Sequence, residues 1–201
     1  PLGYHVEYAF SCMGYEIAAG VGAARAGAMP IVMVGDGSYL MMHTEIVSAV
    51  AEGLKFVIVL IQNHGFASIG HLSESIGSQR FGTQYRFHDA PGNNFESGQK
   101  LPVDLAANAA SLGIDVISIN ESPSAIADLH AAVKKAKSSK TATLIHINSD
   151  PLLYSPGGEG WWDVPIAPIS TLKSTQDAYA KYSVDIKKQR PLLGNGKKDK
   201  K

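Results

Sequence analysis

Two residues in this chain have the chemistry of a cation site. Asp36 lies between two glycines in Gly35-Asp36-Gly37-Ser38, directly after the apolar run IVMV, and Asn63 closely follows a second apolar run, FVIVLI. A carboxylate and a neutral amide oxygen, each at the tip of a strand-like run, suit a hard divalent ion. Mg²⁺ takes six oxygens in an octahedron and commonly draws one or two from protein groups and others from phosphate. Glycines on either side of Asp36 allow a tight turn and close backbone approach. The backbone N–H groups of Gly37, Ser38 and Tyr39, opening the next helix, favour a phosphate. A carboxylate beside a phosphate needs a cation between them, so Mg²⁺ resolves the conflict, with a backbone carbonyl just after Asn63 as a third protein oxygen. The chain carries neither a Cys/His cluster for zinc nor a GxxxxGK[ST] loop for a nucleoside triphosphate. Taken singly, Gly-Asp-Gly and an Asn after a strand are ordinary turn chemistry. The joint pattern, with 25 residues between Gly37 and Asn63, is far more specific.

For Asp36 and Asn63 to meet, the two runs must be neighbouring parallel strands. Residues 14–27 are small and helical in pattern, IVMV (31–34) reads as a buried parallel strand, and FVIVLI (56–61) as a second. Between them, residues 38–52 read as one helix with Ile46, Val47 and Val50 on one face and Gly53 as its stop. Residues 64–100 are rich in Gly, Ser, Asn and aromatics, with a short helix near 67–76; a segment this long between regular elements is functional or disordered. Regular pattern returns as a helix over 102–113 with Asp104 near its start, a strand over 115–119, a helix over 122–139 and a strand over 142–148. A Pro/Gly-rich aromatic excursion (150–170) and a short helix near 174–188 follow. Alternating strands and helices predict a three-layer α/β/α domain around a mostly parallel sheet, running from 1 to 189, with a flexible basic tail at 190–201. Ligands of such sheets bind beyond the carboxyl ends of the strands, where Asp36 and Asn63 both fall. The stretch GVGAAR fails as a dinucleotide loop, because Arg25 stands where a third glycine belongs and no strand precedes it. His43 reads as a buried, satisfied histidine, and Trp161 and Trp162 as packing residues. His64, His71, Gln84 and Arg86 fall where a loop could close over a substrate, with surface placement equally open.

A chain of 201 residues can bury one sizeable α/β core. Its charged content of 18%, against a usual ~25%, points to extra buried or interface surface and hence to a homo-oligomer. No apolar run approaches the ~20 residues a membrane-spanning helix needs, and no signal-peptide pattern opens the sequence. A single cysteine, Cys12, excludes an internal disulfide and fits a reducing, cytoplasmic setting. The start at Pro1 without a methionine leads us to expect a fragment of something longer. Residues 187–201 hold seven Lys/Arg against one acid, a net +6, so a chain of zero net charge leaves −6 for the rest. That acidic body argues against a nucleic-acid-binding domain.

The pattern strand, GDG, helix, strand, Asn resembles the diphosphate-binding domain of thiamine-diphosphate enzymes, whose signature ends in Asn-Asn; here the second Asn is His64. The resemblance implies that Asp36, Asn63 and the Gly65 carbonyl hold Mg²⁺ and that Gly35, Gly37 and Ser38 cradle the diphosphate of thiamine diphosphate. The stretch AFSCMGYEIAAG is similar to the family's G-x-M-G segment. That similarity implies that Met13 holds the cofactor in its bent form and that the Ser11 carbonyl receives the aminopyrimidine N–H, with Ser in place of the usual Gly. More narrowly, YHVEYAFSCMGYEIAAG, GDGSYLMMHTEI, NHGFASIG, SQRFGTQYR and EGWWDVP resemble the trihydroxycyclohexanedione hydrolases of inositol breakdown, over residues 3–189. This implies Mg²⁺-dependent hydrolysis of a ring C–C bond in a cyclic trihydroxy 1,2-dione. The activating glutamate of such enzymes belongs to a separate pyrimidine-binding domain, of the same or a second subunit. Neither Glu7 nor Glu16 lies in a context for that role, so no catalytic residue is assigned and the chain alone is expected to be inactive. Two rivals stand beside this reading: a carboligase of the acetolactate synthase type, distinguished by its substrate, and a non-catalytic binding or assembly module, marked by failure to bind Mg²⁺ and cofactor.

Overall fold

Four short aliphatic runs become the strands of one parallel sheet: β1 (Ile31–Gly35), β2 (Val57–Gln62), β3 (Asp115–Ile119) and β4 (Thr143–Asn148), in the order β1-β2-β4-β3. The computed structural model describes residues 3–80, 82–155 and 163–189. Those residues fall into two units, one built from 3–67 and 82–154, the other from 68–80, 155 and 163–189.

The first unit holds the sheet. Helices α1 (Tyr15–Arg25), α2 (Asp36–Met42), α3 (Glu45–Ala51) and α5 (Leu105–Ser111) contribute Ile17, Val21, Tyr39, Ile46, Ala49, Leu105 and Ala109 to a core against Val32, Val34, Ile58, Leu60 and Leu144. On the opposite sheet face, α6 (Ala125–Ser138) packs Ala132 and Ala136 onto Val57, Val59 and Ile145. Alternate strand residues thus feed opposite cores, as a pleat of period two requires, and the three-layer α/β/α arrangement follows. Asp104 starts α5 as its cap, its Oδ1 accepting the Ala107 N–H at 2.8 Å.

Two local expectations are corrected. The helix expected over 38–52 is two helices, because Ile46 N–H bonds His43 C=O and Val47 N–H bonds Thr44 C=O, both with the tighter i→i+3 spacing. That turn re-aims α3, so Ile46 and Ala49 enter the core while Val47 and Val50 stay exposed. Strand β1 is buried on one face only: Val32 and Val34 are inside, whereas Ile31 is exposed and Met33 is 67% exposed.

The second unit contains most of α4 (Ala67–Ser75), which enters it at Ser68, and α7 (Lys173–Asp185). Within it the Ser174 and Thr175 hydroxyls both donate to Gly77 C=O at 2.7 Å. Trp161, Trp162, most of the aromatic excursion's centre and the tail beyond 189 lie outside the described residues. Among the described residues no helix is long and apolar enough to cross a membrane.

Candidate functional site

Strands β1 and β2 are adjacent and in register, with Gly35 opposite Ile61, so their carboxyl ends open side by side. Asp36, the first residue of α2, is 0% exposed there. Its Oδ1 accepts the Gly37 N–H at 3.0 Å, and its Oδ2 accepts the N–H groups of Asn63 and Gly65, each at 3.1 Å. Burial pushes this carboxyl above the ordinary carboxylate range, opposed by backbone donors from Gly65, Gly37, His64 and Asn63. Among the described residues no Lys or Arg pairs with it. A buried carboxylate surrounded by neutral donors favours the arrival of a cation.

One terminal atom of the Asn63 amide lies 3.2 Å from Asp36 Oδ1 and 3.0 Å from Gly65 C=O. With the amide nitrogen there, Asn63 donates to both oxygens. With the amide oxygen there, it faces the other two oxygens at 3.2 and 3.0 Å, close to the edge length of an octahedron whose metal–oxygen distance is about 2.1 Å. The arrangement can switch between these states by a half-turn of one amide. Among the described residues no three His, Cys, Asp or Glu side chains converge as a metal cluster; the oxygens that meet at this turn come from one carboxylate, one amide and one carbonyl.

The turn after Asn63 is held from several sides. His64 has φ +59°, a left-handed conformation that Asn, Asp and His tolerate best among non-glycine residues, so the backbone accepts His where the resemblance expects Asn. Its Nδ1 lies 3.3 Å from Gln62 Nε2, which also donates to Val103 C=O at 3.0 Å, and Gln62 Oε1 lies 2.7 Å from His146 Nε2. Because Gln62 Nε2 is a donor, His64 Nδ1 must accept; because Gln62 Oε1 is an acceptor, His146 Nε2 carries the proton. Burial holds both imidazoles below the usual histidine value. Gly65 and Gln84 form a bridge: Phe66 N–H bonds Thr83 C=O at 2.7 Å and Tyr85 N–H bonds His64 C=O at 2.9 Å. A Cβ on Gly65 would sit 2.2 Å from Thr83 C=O, and one on Gly37 would sit 2.6 Å from the Phe66 ring. Both glycines are dictated by close approach.

Beside the turn lies a cavity of about 10 Å³, lined by Asn63, His64, Gln84, Tyr85, Arg86 and Lys100 among others. It is the size of roughly one water. The Tyr85 hydroxyl is buried without a hydrogen-bond partner, and burial together with the Asp36 charge raises its pKa.

Of the residues singled out from sequence, Asp36, Gly37, Asn63 and Gly65 are therefore joined directly. Ser38 is buried in the next turn position, its hydroxyl bonded to Glu16 and to the Gly14 N–H. Gly35 ends β1, and a Cβ there would meet nothing within 4 Å, so the space beside it is open. Ser11 is exposed with φ +48°, and Met13 is 39% exposed; neither side chain touches the Asp36 cluster through any described hydrogen bond. Glu7 is occupied locally, accepting the N–H groups of Phe10 at 3.0 Å and Cys12 at 2.6 Å. His43 corrects its expectation: it is half-buried, stacked on the Tyr39 ring at 5.2 Å, with Nδ1 buried and unpartnered. Gln84 and Arg86 line the cavity, whereas His71 belongs to the second unit. Sequence reasoning passed over Gln62 and His146, although a polar residue inside an otherwise aliphatic strand run is a legible signal. Tyr85 and Lys100 carried no such signal, since both lie in aperiodic chain.

The family "Thiamine pyrophosphate enzyme, C-terminal TPP binding domain" matches residues 1–147. A 3D-(3,5/4)-trihydroxycyclohexane-1,2-dione hydrolase of Bacillus cereus is 36% identical over 192 residues, covering 94% of this chain. One from Clostridium perfringens is 39% identical over 189 residues, covering 93%. The chain spans only 29% of the length of either relative. Among solved structures, benzoylformate decarboxylase from Polynucleobacter necessarius superposes with a TM-score of 0.54 at 20% identity, over 72% of this chain and 25% of that one. The thiamine diphosphate-dependent 4-hydroxybenzoylformate decarboxylase of Rhodococcus jostii gives 0.51 at 21% identity, over 69% and 23%. At those identities the likeness speaks to fold alone.

Proposed function

The chain belongs to the thiamine pyrophosphate enzymes, as their C-terminal TPP-binding domain, and on that premise we propose that it binds the diphosphate half of thiamine diphosphate through Mg²⁺ in a longer enzyme that hydrolyses a ring C–C bond of a cyclic trihydroxy 1,2-dione. The observation that carries the site is the meeting of Asp36 Oδ1, the Asn63 amide and the Gly65 carbonyl at 3.0–3.2 Å around a buried, uncompensated carboxylate. The donor set fits a hard cation with phosphate oxygens completing its shell. In this reading Asp36, Asn63 and Gly65 hold Mg²⁺, and the backbone of Gly35, Gly37 and Ser38 lies against the diphosphate. Gly37 N–H is partly engaged by Asp36 Oδ1, and the Ser38 hydroxyl by Glu16, which leaves the backbone rather than the Ser38 side chain for that contact. Met13 and the Ser11 carbonyl contact the rings.

Thiamine diphosphate supplies a nucleophilic thiazolium carbon, suited to attack on a carbonyl. The residues of this chain hold and orient; none of them is assigned a proton transfer. The substrate class is supported by two relatives of 36% and 39% identity, matched over 94% and 93% of the chain and both named as hydrolases of such a dione. The activating glutamate and pyrimidine-binding domain belong, in this proposal, to the longer protein or a second subunit. Exposed Met13, Leu40, Met41 and Met42 beside the site, and bare Ile31 and Met33 on β1, support such partners. A cytoplasmic setting is part of the same proposal, supported by the exposed free thiol of Cys12.

Titration calorimetry of thiamine diphosphate into the chain with Mg²⁺ tests the site. Binding that needs Mg²⁺ and disappears in Asp36→Ala is expected. Equal binding by that variant would overturn the assignment. Turnover of the cyclic dione by the 201-residue chain alone would overturn the placing of the activating group elsewhere.

A further inference from the structure

Segment 11–14 contains two left-handed residues, Ser11 at φ +48° and Gly14 at φ +92°. A non-glycine residue held there costs of order 1 kcal/mol and persists only when its surroundings enforce it. On the far side of the segment from Glu7, the described anchor is a closed polar triangle. Gly14 N–H lies 2.7 Å from Ser38 Oγ and 3.1 Å from Glu16 Oε2, and Ser38 Oγ lies 2.8 and 2.9 Å from the two Glu16 oxygens. A hydroxyl has one proton. The Ser38 hydroxyl donates that proton to Glu16, so its lone pairs face the Gly14 N–H. Every donor in the triangle is satisfied, and both Gly14 and Ser38 are buried.

We infer that Glu16 is a positioning residue, whose carboxylate locks the turn bearing Met13 onto the first turn of α2. It touches neither the Asp36 cluster nor the cavity. Its effect passes through Ser38, which it holds in one rotamer, and through Gly14, whose N–H it shares. The lock joins Glu16 and Ser38, 22 residues apart in sequence, and so brings the turn that carries Met13 to the helix start that carries Asp36. The packing behind it leaves little slack: a Cβ at Gly14 would meet Met42 Cγ at 2.6 Å. Glu16 therefore sets the spacing between the ring-contacting and diphosphate-contacting segments. The consequence for cofactor rests on the proposed diphosphate site; the lock itself does not.

Amide hydrogen exchange on the metal-free and cofactor-free chain reads the lock directly. Glu16→Ala and Ser38→Ala should each speed exchange of the Gly14 amide by at least about tenfold, the worth of a hydrogen bond to a charged group. The double variant, which removes both acceptors of the Gly14 N–H, should exchange at least as fast as the faster single one. The Val59 amide in β2 should be unaffected, showing that the sheet is intact. With Mg²⁺ present, Glu16→Ala should weaken thiamine diphosphate binding by about tenfold, while Glu16→Gln, which keeps one acceptor for Ser38, recovers part of the loss. Gly14 exchange within twofold of wild type in Glu16→Ala would overturn the inference, as would an opened turn with unchanged cofactor affinity. Failure of the wild-type chain to bind cofactor would instead count against the diphosphate site, with Gly14 exchange still deciding the lock.

Discussion

Asp36→Asn separates the two roles that the structure combines in one carboxylate. The substitution preserves volume in a site with no exposure. An amide has one acceptor end. Oδ2 accepts two backbone N–H groups and Oδ1 accepts one, so the amide oxygen settles at the Oδ2 position and its nitrogen faces the Gly37 N–H. One hydrogen bond is lost, at about 1–3 kcal/mol. Removal of a buried, uncompensated charge acts in the opposite direction. Metal-free stability should therefore change by no more than about 2 kcal/mol, or up to about 8 °C in Tm for a chain of this length. Cofactor-linked stability behaves differently. At a thiamine diphosphate concentration 100 times Kd the wild-type chain gains about 2.7 kcal/mol, which is about 5–11 °C. In Asp36→Asn that increment should vanish. Thermal melts followed by far-UV circular dichroism, with Mg²⁺ and cofactor and again with chelator and cofactor, measure both quantities. A variant that keeps the wild-type, Mg²⁺-dependent shift refutes Asp36 as the cation ligand. A wild-type shift indifferent to chelator refutes the metal.

Three further outcomes follow from neighbouring groups. Gln62→Leu should cost about 2–4 kcal/mol in denaturant unfolding, since it leaves the buried His146 N–H and the Val103 carbonyl without partners; a loss under about 1 kcal/mol would refute the network. His146 is held below its ordinary value of 6.5 by burial, so the unfolded chain takes up a proton that the folded chain resists. Its contribution is complete above 6.5 and is lost as pH falls through the interval down to the depressed folded value. His146→Gln retains an N–H for Gln62 and should lose less Tm than wild type between neutral and acid pH; parallel losses would show that His146 does not set the slope. Gly65→Ala, whose Cβ would press on Thr83 C=O at 2.2 Å, should lower stability by about 1–3 kcal/mol and remove the Mg²⁺-linked shift, and an unchanged shift would show that the turn yields without consequence.

Much of the scaffold was legible because aliphatic runs bounded by Gly, Asn and Asp leave few alternatives. The four strands were read within a residue or so, and Asp104 was placed near a helix start, where the structure shows it capping α5. The 38–52 helix was misread because its break at His43 and Thr44 depends on two i→i+3 bonds, with no Gly or Pro to announce them. The half-bare β1 escaped notice because IVMV has no alternation to reveal that one face lacks a cover. His43 was expected to be satisfied, and nothing in the composition of a helix says where its Nδ1 will point.

The residue types and their spacing determined, without coordinates, that a carboxylate and an amide would meet at adjacent strand ends, because parallel strands joined by a helix bring their carboxyl ends to one edge. Only the tertiary structure decided which atoms meet. The 3 Å convergence of Asp36, Asn63 and Gly65, the direction of the His146–Gln62–His64 chain and the Glu16–Ser38–Gly14 triangle each join residues through space. A hydrogen bond is set by tenths of an ångström and tens of degrees. Sequence spacing places a residue on an element, while rotamer and register, which the packed core settles, place its atoms.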